Sequence, residues 1–288
     1  MAVSQGTKAA RPSLGILRTA MLIGSTGITL LIGIRHLLPG EAASGGSFDA
    51  FCPFGAIETF WRYVTTGQTL QTTNLLNFTI LGGVLAVSLV AGRAFCGWMC
   101  PVGAVQEFLA RLARHWSGQK RHVRGKAGHA RLPIALPDRA DRMLRPAKYL
   151  ILAVILVASV AAVYPPLHDL CPARALFGLK LTTGLLWSVL FVFVATSLFV
   201  ERAWCKYFCP LAPPLAIFNK MSPLRLVVNH DRCNQCGRCD VECSMGIQNV
   251  PERLRDMECI ECLECLDTCA RDGSLELRLG KATQRRHS

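Results

Sequence analysis

Two stretches near the C-terminus each place four cysteines in eleven residues. Cys233, Cys236, Cys239 and Cys243 follow the spacing C-x2-C-x2-C-x3-C, and Cys259, Cys262, Cys265 and Cys269 repeat it. This is the bacterial [4Fe–4S] ligand run, in which three thiolates on a tight loop take three irons and the fourth thiolate comes from elsewhere. In two-cluster proteins of this kind the fourth cysteine of each run serves the other cluster. The predicted ligand sets are therefore Cys233, Cys236, Cys239 and Cys269 for one cluster, and Cys259, Cys262, Cys265 and Cys243 for the second. Zinc modules normally spend two C-x2-C pairs on each tetrahedral ion and fit this rhythm less well. The proline that usually follows the fourth cysteine is replaced by Ser244 and Ala270. That proline shapes the loop and binds no metal. Paired cubanes move single electrons, so the chain is expected to do the same.

The chain has fourteen cysteines, and the other six lie upstream in a duplicated pattern. Phe95-Cys96-Gly-Trp-Met-Cys100-Pro101 matches Trp204-Cys205-Lys-Tyr-Phe-Cys209-Pro210, and Phe51-Cys52-Pro53 matches Leu170-Cys171-Pro172. Proline suits the first position of a helix, so the cysteine before it falls at the N-cap, where the helix dipole favours a thiolate. On a continuing helix, Cys96 and Cys100 would share a face, as would Cys205 and Cys209. Four thiolates brought to one axis would hold a further cluster or act as redox pairs; the bland reading is reduced structural cysteines. Cys52 and Cys171 either pair in an outer disulfide, face a periplasmic redox partner, or do neither.

The positioning elements are apolar. Of 288 residues, 51% are hydrophobic and 18% charged, with a mean hydropathy of +0.32. That composition points to membrane spans. Four stretches approach the roughly 20 residues a bilayer needs: 16–38, 75–91, 149–164 and 185–200. Arg18 and Arg35, near the ends of the first, are expected to snorkel. That stretch lacks an A-x-A-like exit and runs into Arg35, His36 and Pro39, so it reads as a span and not as a cleaved leader. Trp187 and Trp204 flank the fourth as an aromatic belt would. The segment 101–147 carries ten Lys/Arg against three Asp/Glu, whereas 39–74 carries only Arg62 and 165–183 only Arg174 and Lys180. The positive-inside rule then puts both termini and the central loop in the cytoplasm. A net charge of +13 is thereby explained without nucleic acid, and a cytoplasmic tail argues against a disulfide framework.

The expected fold is a membrane α-helical protein. Four transmembrane helices form two parallel two-helix repeats, followed by a small α+β ferredoxin-like domain. The divisions are a first membrane repeat (1–110), a basic loop (111–147), a second membrane repeat (148–222) and the two-cluster domain (223–288). Amphipathic helices follow the Cys-Pro pairs: Val105, Phe108, Leu109, Leu112 and Trp116 recur at helical spacing, as do Ile57, Phe60, Trp61 and Val64. Glu58 and His168 near the outer face, and Glu107 near the inner one, are candidate bases for quinol oxidation. Each has the plainer reading of a solvated or paired side chain. His115, His122 and His129 recur in the basic loop, and a solvated face explains them. No histidine lies in a span interior, His36 standing at the end of the first, and no nucleotide fingerprint is present, so haem and nucleotide binding are not expected.

At these motifs the chain resembles the NapH, MauN and NosR group of membrane-bound ferredoxin-type proteins, which share four spans, two C-x3-C-P motifs and a C-terminal pair of [4Fe–4S] runs. The resemblance implies a quinol dehydrogenase component in the bacterial cytoplasmic membrane, passing electrons from the quinol pool to a periplasmic or membrane redox partner. The outer Cys52-Pro53 segment is more like the NosR side of the group, whose large periplasmic flavin domain this chain lacks. A second reading is a maturation or maintenance factor that reduces a partner metallo- or quinoprotein. A third is an iron–sulfur sensor.

Overall fold

The computed structural model describes residues 14–35, 53–67, 75–118, 136–160, 170–178, 183–254, 256–269 and 273–280. Four apolar helices dominate: α1 (Leu14–Arg35), α3 (Leu75–Ala91), α7 (Ala147–Val160) and α9 (Gly184–Phe199). α1, and α7 continued back to Arg139, are each 22 residues long and apolar enough to cross a membrane; α3 and α9 are shorter apolar helices. These are not core helices. Leu31, Leu150, Val157 and Phe191 all stand more than half exposed, which water would penalise and lipid would not.

Between them run α2 (Pro53–Thr66), α4 (Ala94–Trp98), α5 (Pro101–Trp116), α6 (Asp138–Leu144) and α8 (Pro172–Phe177). Both helices expected to be amphipathic turn part of their apolar face outward, with Ile57, Val105, Phe108 and Leu109 half-buried. α5 buries Gly103, Ala104, Gln106, Glu107, Ala110 and Ala113, while Leu112 and Trp116 are exposed. α2 buries Ala56, Glu58 and Thr59, while Phe60, Trp61 and Val64 are exposed. The small faces allow close packing of α5 on α9 and α1, and of α2 on α3 and α7. An apolar face turned outward is the inverse of a water-soluble helix and the pattern of one lying at a bilayer surface.

The chain then passes through a π-helical turn (Trp204–Phe208) into α10 (Ala212–Met221) and the C-terminal domain. There β1 (Leu224–Val228) and β2 (Leu275–Leu279) pair antiparallel, Leu226 opposite Leu277, and bracket the short helices α11 (Arg238–Val241) and α12 (Glu264–Thr268). A core of Val84, Cys96, Leu215, Met245, Ile247, Val250 and Ile260 joins this domain to the apolar helices. Arg18 does not snorkel. It is buried, with Nε donating to the Gly97 carbonyl at 3.0 Å and its guanidinium paired with Glu107 and Glu264.

Candidate functional site

The two cysteine runs fold alike. The residues flanking the second cysteine are left-handed in both: Gln235 (φ 51°) and Gly237 (φ 72°) around Cys236, Glu261 (φ 47°) and Leu263 (φ 60°) around Cys262. Three of these are not glycine, so the loops hold a conformation that L-residues avoid locally. The reversals curl each loop so that its sulfurs can converge. Cys243, Cys259, Cys262 and Cys265 line one cavity of about 440 Å³, counted to its open side, together with apolar residues such as Ile247 and Ile260. The Cys265 thiol is pushed well above its usual range, first by burial and then by the charges of Cys262, Cys259 and Cys243. Cys243 therefore lines the same cavity as the second run. The Ile247 N–H donates to Cys243 Sγ at 3.4 Å. Four soft donors around one cavity, with a backbone N–H aimed at sulfur, fit a [4Fe–4S] cluster. Among the described residues no three donors close in around a single ion, and a cubane holds its thiolates farther apart than one ion does. Cys233, Cys239 and Cys269 are partly buried and Cys236 is exposed.

The C-x3-C-P segments also share one geometry. Cys100 (φ −67°, ψ 115°) and Cys209 (φ −68°, ψ 114°) are nearly superposable. Each closes a five-residue turn, with Cys100 N donating to the Phe95 carbonyl at 3.0 Å and Cys209 N to the Trp204 carbonyl at 2.9 Å. The helix does not continue through either pair, because a following proline drives the preceding residue into extended geometry. Cys100 caps α5 with Pro101 in its first turn, and Cys171 caps α8 with Pro172 likewise. Cys209 precedes a turn, and α10 starts only at Ala212. The Cys100 thiol stands at this helix terminus, where opposing effects act on it. Burial, then Cys96 and Cys205, push its thiol up to about 12 against Gly103 and Arg202. Burial, then the charges of Cys205, Cys96 and Cys100, act likewise on Cys209, so the four sulfurs lie within electrostatic reach of one another.

Backbone contact ties this group to the second run. A methyl group on Gly97 would strike the Ile260 carbonyl, and Trp98 Nε1 donates to the Glu261 carbonyl at 2.9 Å. The Asn219 amide spans the same seam, accepting from Arg93 N at 2.7 Å and donating to the Cys259 carbonyl at 2.6 Å.

The family description "4Fe-4S binding domain" matches residues 73–123 and 182–225, one C-x3-C-P segment in each. An uncharacterized protein of Methanocaldococcus jannaschii is 30% identical over 223 residues, covering 77% of this chain and 84% of that protein. The chain belongs to the NapH, MauN and NosR family of membrane-bound ferredoxin-type proteins. The putative electron transport protein YccM of Escherichia coli is 26% identical, covering 83% of this chain and 66% of YccM. Ferredoxin-type protein NapH of Haemophilus influenzae is 25% identical, covering 71% of this chain and 70% of NapH. No solved structure matches significantly. As a member of this iron–sulfur electron-transport family, the chain is expected to carry its chemistry on the cysteines.

The candidate bases fare differently. Glu107 is buried beneath three guanidinium groups: Arg18, Arg202 at 2.7 Å and Arg111 at 2.6 Å. Burial works to raise its pKa, but Arg202 and Arg18 outweigh it and hold the carboxyl below the usual range, which makes it a poor proton acceptor. Glu58 is buried on α2, where burial raises its pKa against opposing effects of Ser159 and Arg62. Cys52, His168, His122 and His129 lie outside the described residues. Sequence reasoning missed Arg93 and Arg202. Each stands three residues before the first cysteine of its motif, so the repeat is longer than its cysteines: Arg-Ala-aromatic-Cys-x3-Cys-Pro.

Proposed function

We propose that this protein is a membrane-bound electron relay that carries single electrons between the quinol pool and a redox partner. The observation that carries the reading is the seam at Gly97 and Trp98. It sets the loop of Cys259 and Cys262 directly against the four-cysteine group beside the apolar helices, while Cys236 of the other run faces solvent. [4Fe–4S] clusters, when bound, accept and release one electron at a time. The chain's part is to hold Cys259, Cys262, Cys265 and Cys243 toward the membrane and Cys233, Cys236, Cys239 and Cys269 outward.

Cys96, Cys100, Cys205 and Cys209 are proposed to hold a third [4Fe–4S] cluster. Their matched backbone angles and the family match over both segments support this. The same features support two parallel repeats of two spans each, and the outward apolar faces of α1, α3, α7 and α9 support four crossings, with both termini in the cytoplasm. Glu58 is the proposed quinol base: a buried carboxyl with a raised pKa is suited to taking a proton near neutral pH. Electrons that reach the cytoplasmic domain must recross the bilayer to serve a periplasmic partner, and Cys52 and Cys171 mark the proposed outer end of that route.

Anaerobic iron and sulfide analysis, with EPR during mixing with a reduced menaquinol analogue, tests the reading. Three cubanes per chain, reduced at catalytic rates, are expected. Two cubanes would remove the third site, and clusters that never take electrons from the quinol would remove the quinol role. A maturation factor would use the same relay and differ in its acceptor.

A further inference from the structure

Arg93 and Arg202 occupy the same register in the two C-x3-C-P motifs, and their side chains are 1% and 0% exposed. A buried guanidinium needs compensating negative charge. Arg202 donates from Nη1 to the Cys96 carbonyl at 3.1 Å and from Nη2 to Glu107 at 2.7 Å. Arg93 donates from Nη1 to the Met257 carbonyl at 2.8 Å and lies 3.5 Å from Glu258.

Those carboxylates are already shared. Glu258 also pairs with Lys148, so two cations face one anion. Glu107 and Glu264 answer the buried Arg18 and Arg202, and Arg111, 39% exposed, is answered by water as well. Among the described residues the Arg93 group is left with one surplus positive charge, and Arg202 shares its carboxylate with Arg18. Lys206 is directed elsewhere, with Glu201, Asp141 and Cys243 as the charges around it.

A second, independent sign is geometric. Arg93 Nε and Arg202 Nε are both buried N–H donors without a partner, and a lost partner of this kind is costly. Arg202 is moreover held at a left-handed φ of 53°, a strain that persists only where the surroundings enforce it. Two matched orphan donors on two buried guanidinium groups describe a cradle for an anion, and a [4Fe–4S] core with four thiolates is formally a dianion.

We propose that Arg93 and Arg202 are the charge-compensating pair of the four-cysteine site, that their Nε–H groups donate to its sulfur atoms, and that they set its reduction potential. The inference rests on the reading that Cys96, Cys100, Cys205 and Cys209 hold a cluster. One electron, supplied by a quinol or by the neighbouring cluster, turns the dianion into a trianion with no bond made or broken, and two fixed cations favour that change.

EPR-monitored redox titration of the full chain tests this, the signal being identified as the one that Cys100→Ser abolishes. Arg93→Gln and Arg202→Gln are each expected to shift the oxidised-to-reduced ratio of that signal at least tenfold toward oxidised, equivalent to 59 mV for one electron, and to leave the other two signals in place. Arg93→Lys, which keeps the charge and loses Nε–H, should shift less. Wild-type protein with only two cubanes overturns the cluster reading and this inference together. Three cubanes with an unmoved potential in Arg93→Gln overturn this inference alone. Should Arg202→Gln fail to assemble, Arg93→Gln and Arg93→Lys still decide. Loss of the signal from Arg93→Lys would show a purely structural residue and overturn it too.

Discussion

Replacing Glu107 by glutamine removes one charge and almost no volume, so it isolates the electrostatics that join the membrane helices to the cysteine loops. The carboxylate takes Arg18 and Arg202 on Oε2 and Arg111 on Oε1. After the change Arg18 keeps Glu264 at 2.7 Å and the Gly97 carbonyl at 3.0 Å. Arg111, 39% exposed, can turn to water. Arg202 retains the Cys96 carbonyl at 3.1 Å and no carboxylate, so the loss falls mainly on that side chain. Deleting one partner of a buried pair costs about 3–5 kcal/mol, and because Arg18 stays paired the lower end, about 3 kcal/mol, is expected. For a protein of this size that is a drop of roughly 6–12 °C in thermal midpoint. The measurement is the apparent midpoint in one detergent at one scan rate, with Arg111→Gln as the control, an exposed pair worth less than about 1 kcal/mol. A drop below about 2 °C, or an equal loss in the control, refutes the assignment of Glu107 as the junction's anion.

Three further outcomes follow from the same contacts. Because the folded protein holds the Glu107 pKa below its unfolded value, near 4.3, its contribution is complete above that pH and fades as pH falls through the lowered folded value; Glu107→Gln should flatten this acid limb in pH-dependent melting, and an unchanged limb would exclude it. Gly97→Ala should cost about 1–3 kcal/mol by overpacking against the Ile260 carbonyl and hasten proteolysis near Leu224 with cluster content intact; wild-type digestion would count against the seam. Glu58→Gln should leave stability at neutral pH unchanged or higher, since it removes a buried group that resists ionisation, and should slow quinol-to-cluster transfer by about 10²–10⁴-fold if the carboxyl is the base; an unchanged rate removes it from the mechanism.

How far the sequence could be read depends on whether a feature is local. The cysteine runs were legible because a cubane loop needs fixed short spacings. The apolar helices were legible because hydropathy is a run property, and α3 begins and ends where the sequence places it. The Cys-Pro pairs were legible as caps at Cys100 and Cys171, since proline restricts its neighbour wherever it stands. Partners distant in the chain were not legible. Arg18 looks like a snorkelling end residue until Glu107 and Glu264, 89 and 246 residues away, are placed beside it. The outward apolar face of α5 was hidden for the same reason: the pattern shows two faces without saying which is covered. Arg93 and Arg202 could have been found by extending the repeat upstream of its cysteines, but their orphan donors needed the fold.

The difference between the two C-x3-C-P motifs carries as much meaning as their likeness. In matching register after the first cysteine stand Gly97 and Lys206. Gly97 has no room for a side chain, because the Ile260 carbonyl and Cys262 backbone lie on it. Lys206 is buried, near Gly246 and within the field of Cys243. Both residues thus meet the cavity lined by Cys243, Cys259, Cys262 and Cys265, one through its backbone and one through a side chain near Cys243. Two matched motifs that meet one domain must differ where they touch it, and these positions do: a gap at Gly97 where backbone approaches, and the Lys206 amine, its pKa lowered by burial, near Cys243. Exchanging the two residues would place a lysine against the Ile260 carbonyl and leave Cys243 without that amine nearby. The ferredoxin-like domain is therefore oriented by the platform, with its Cys243 loop turned inward and Cys236 outward.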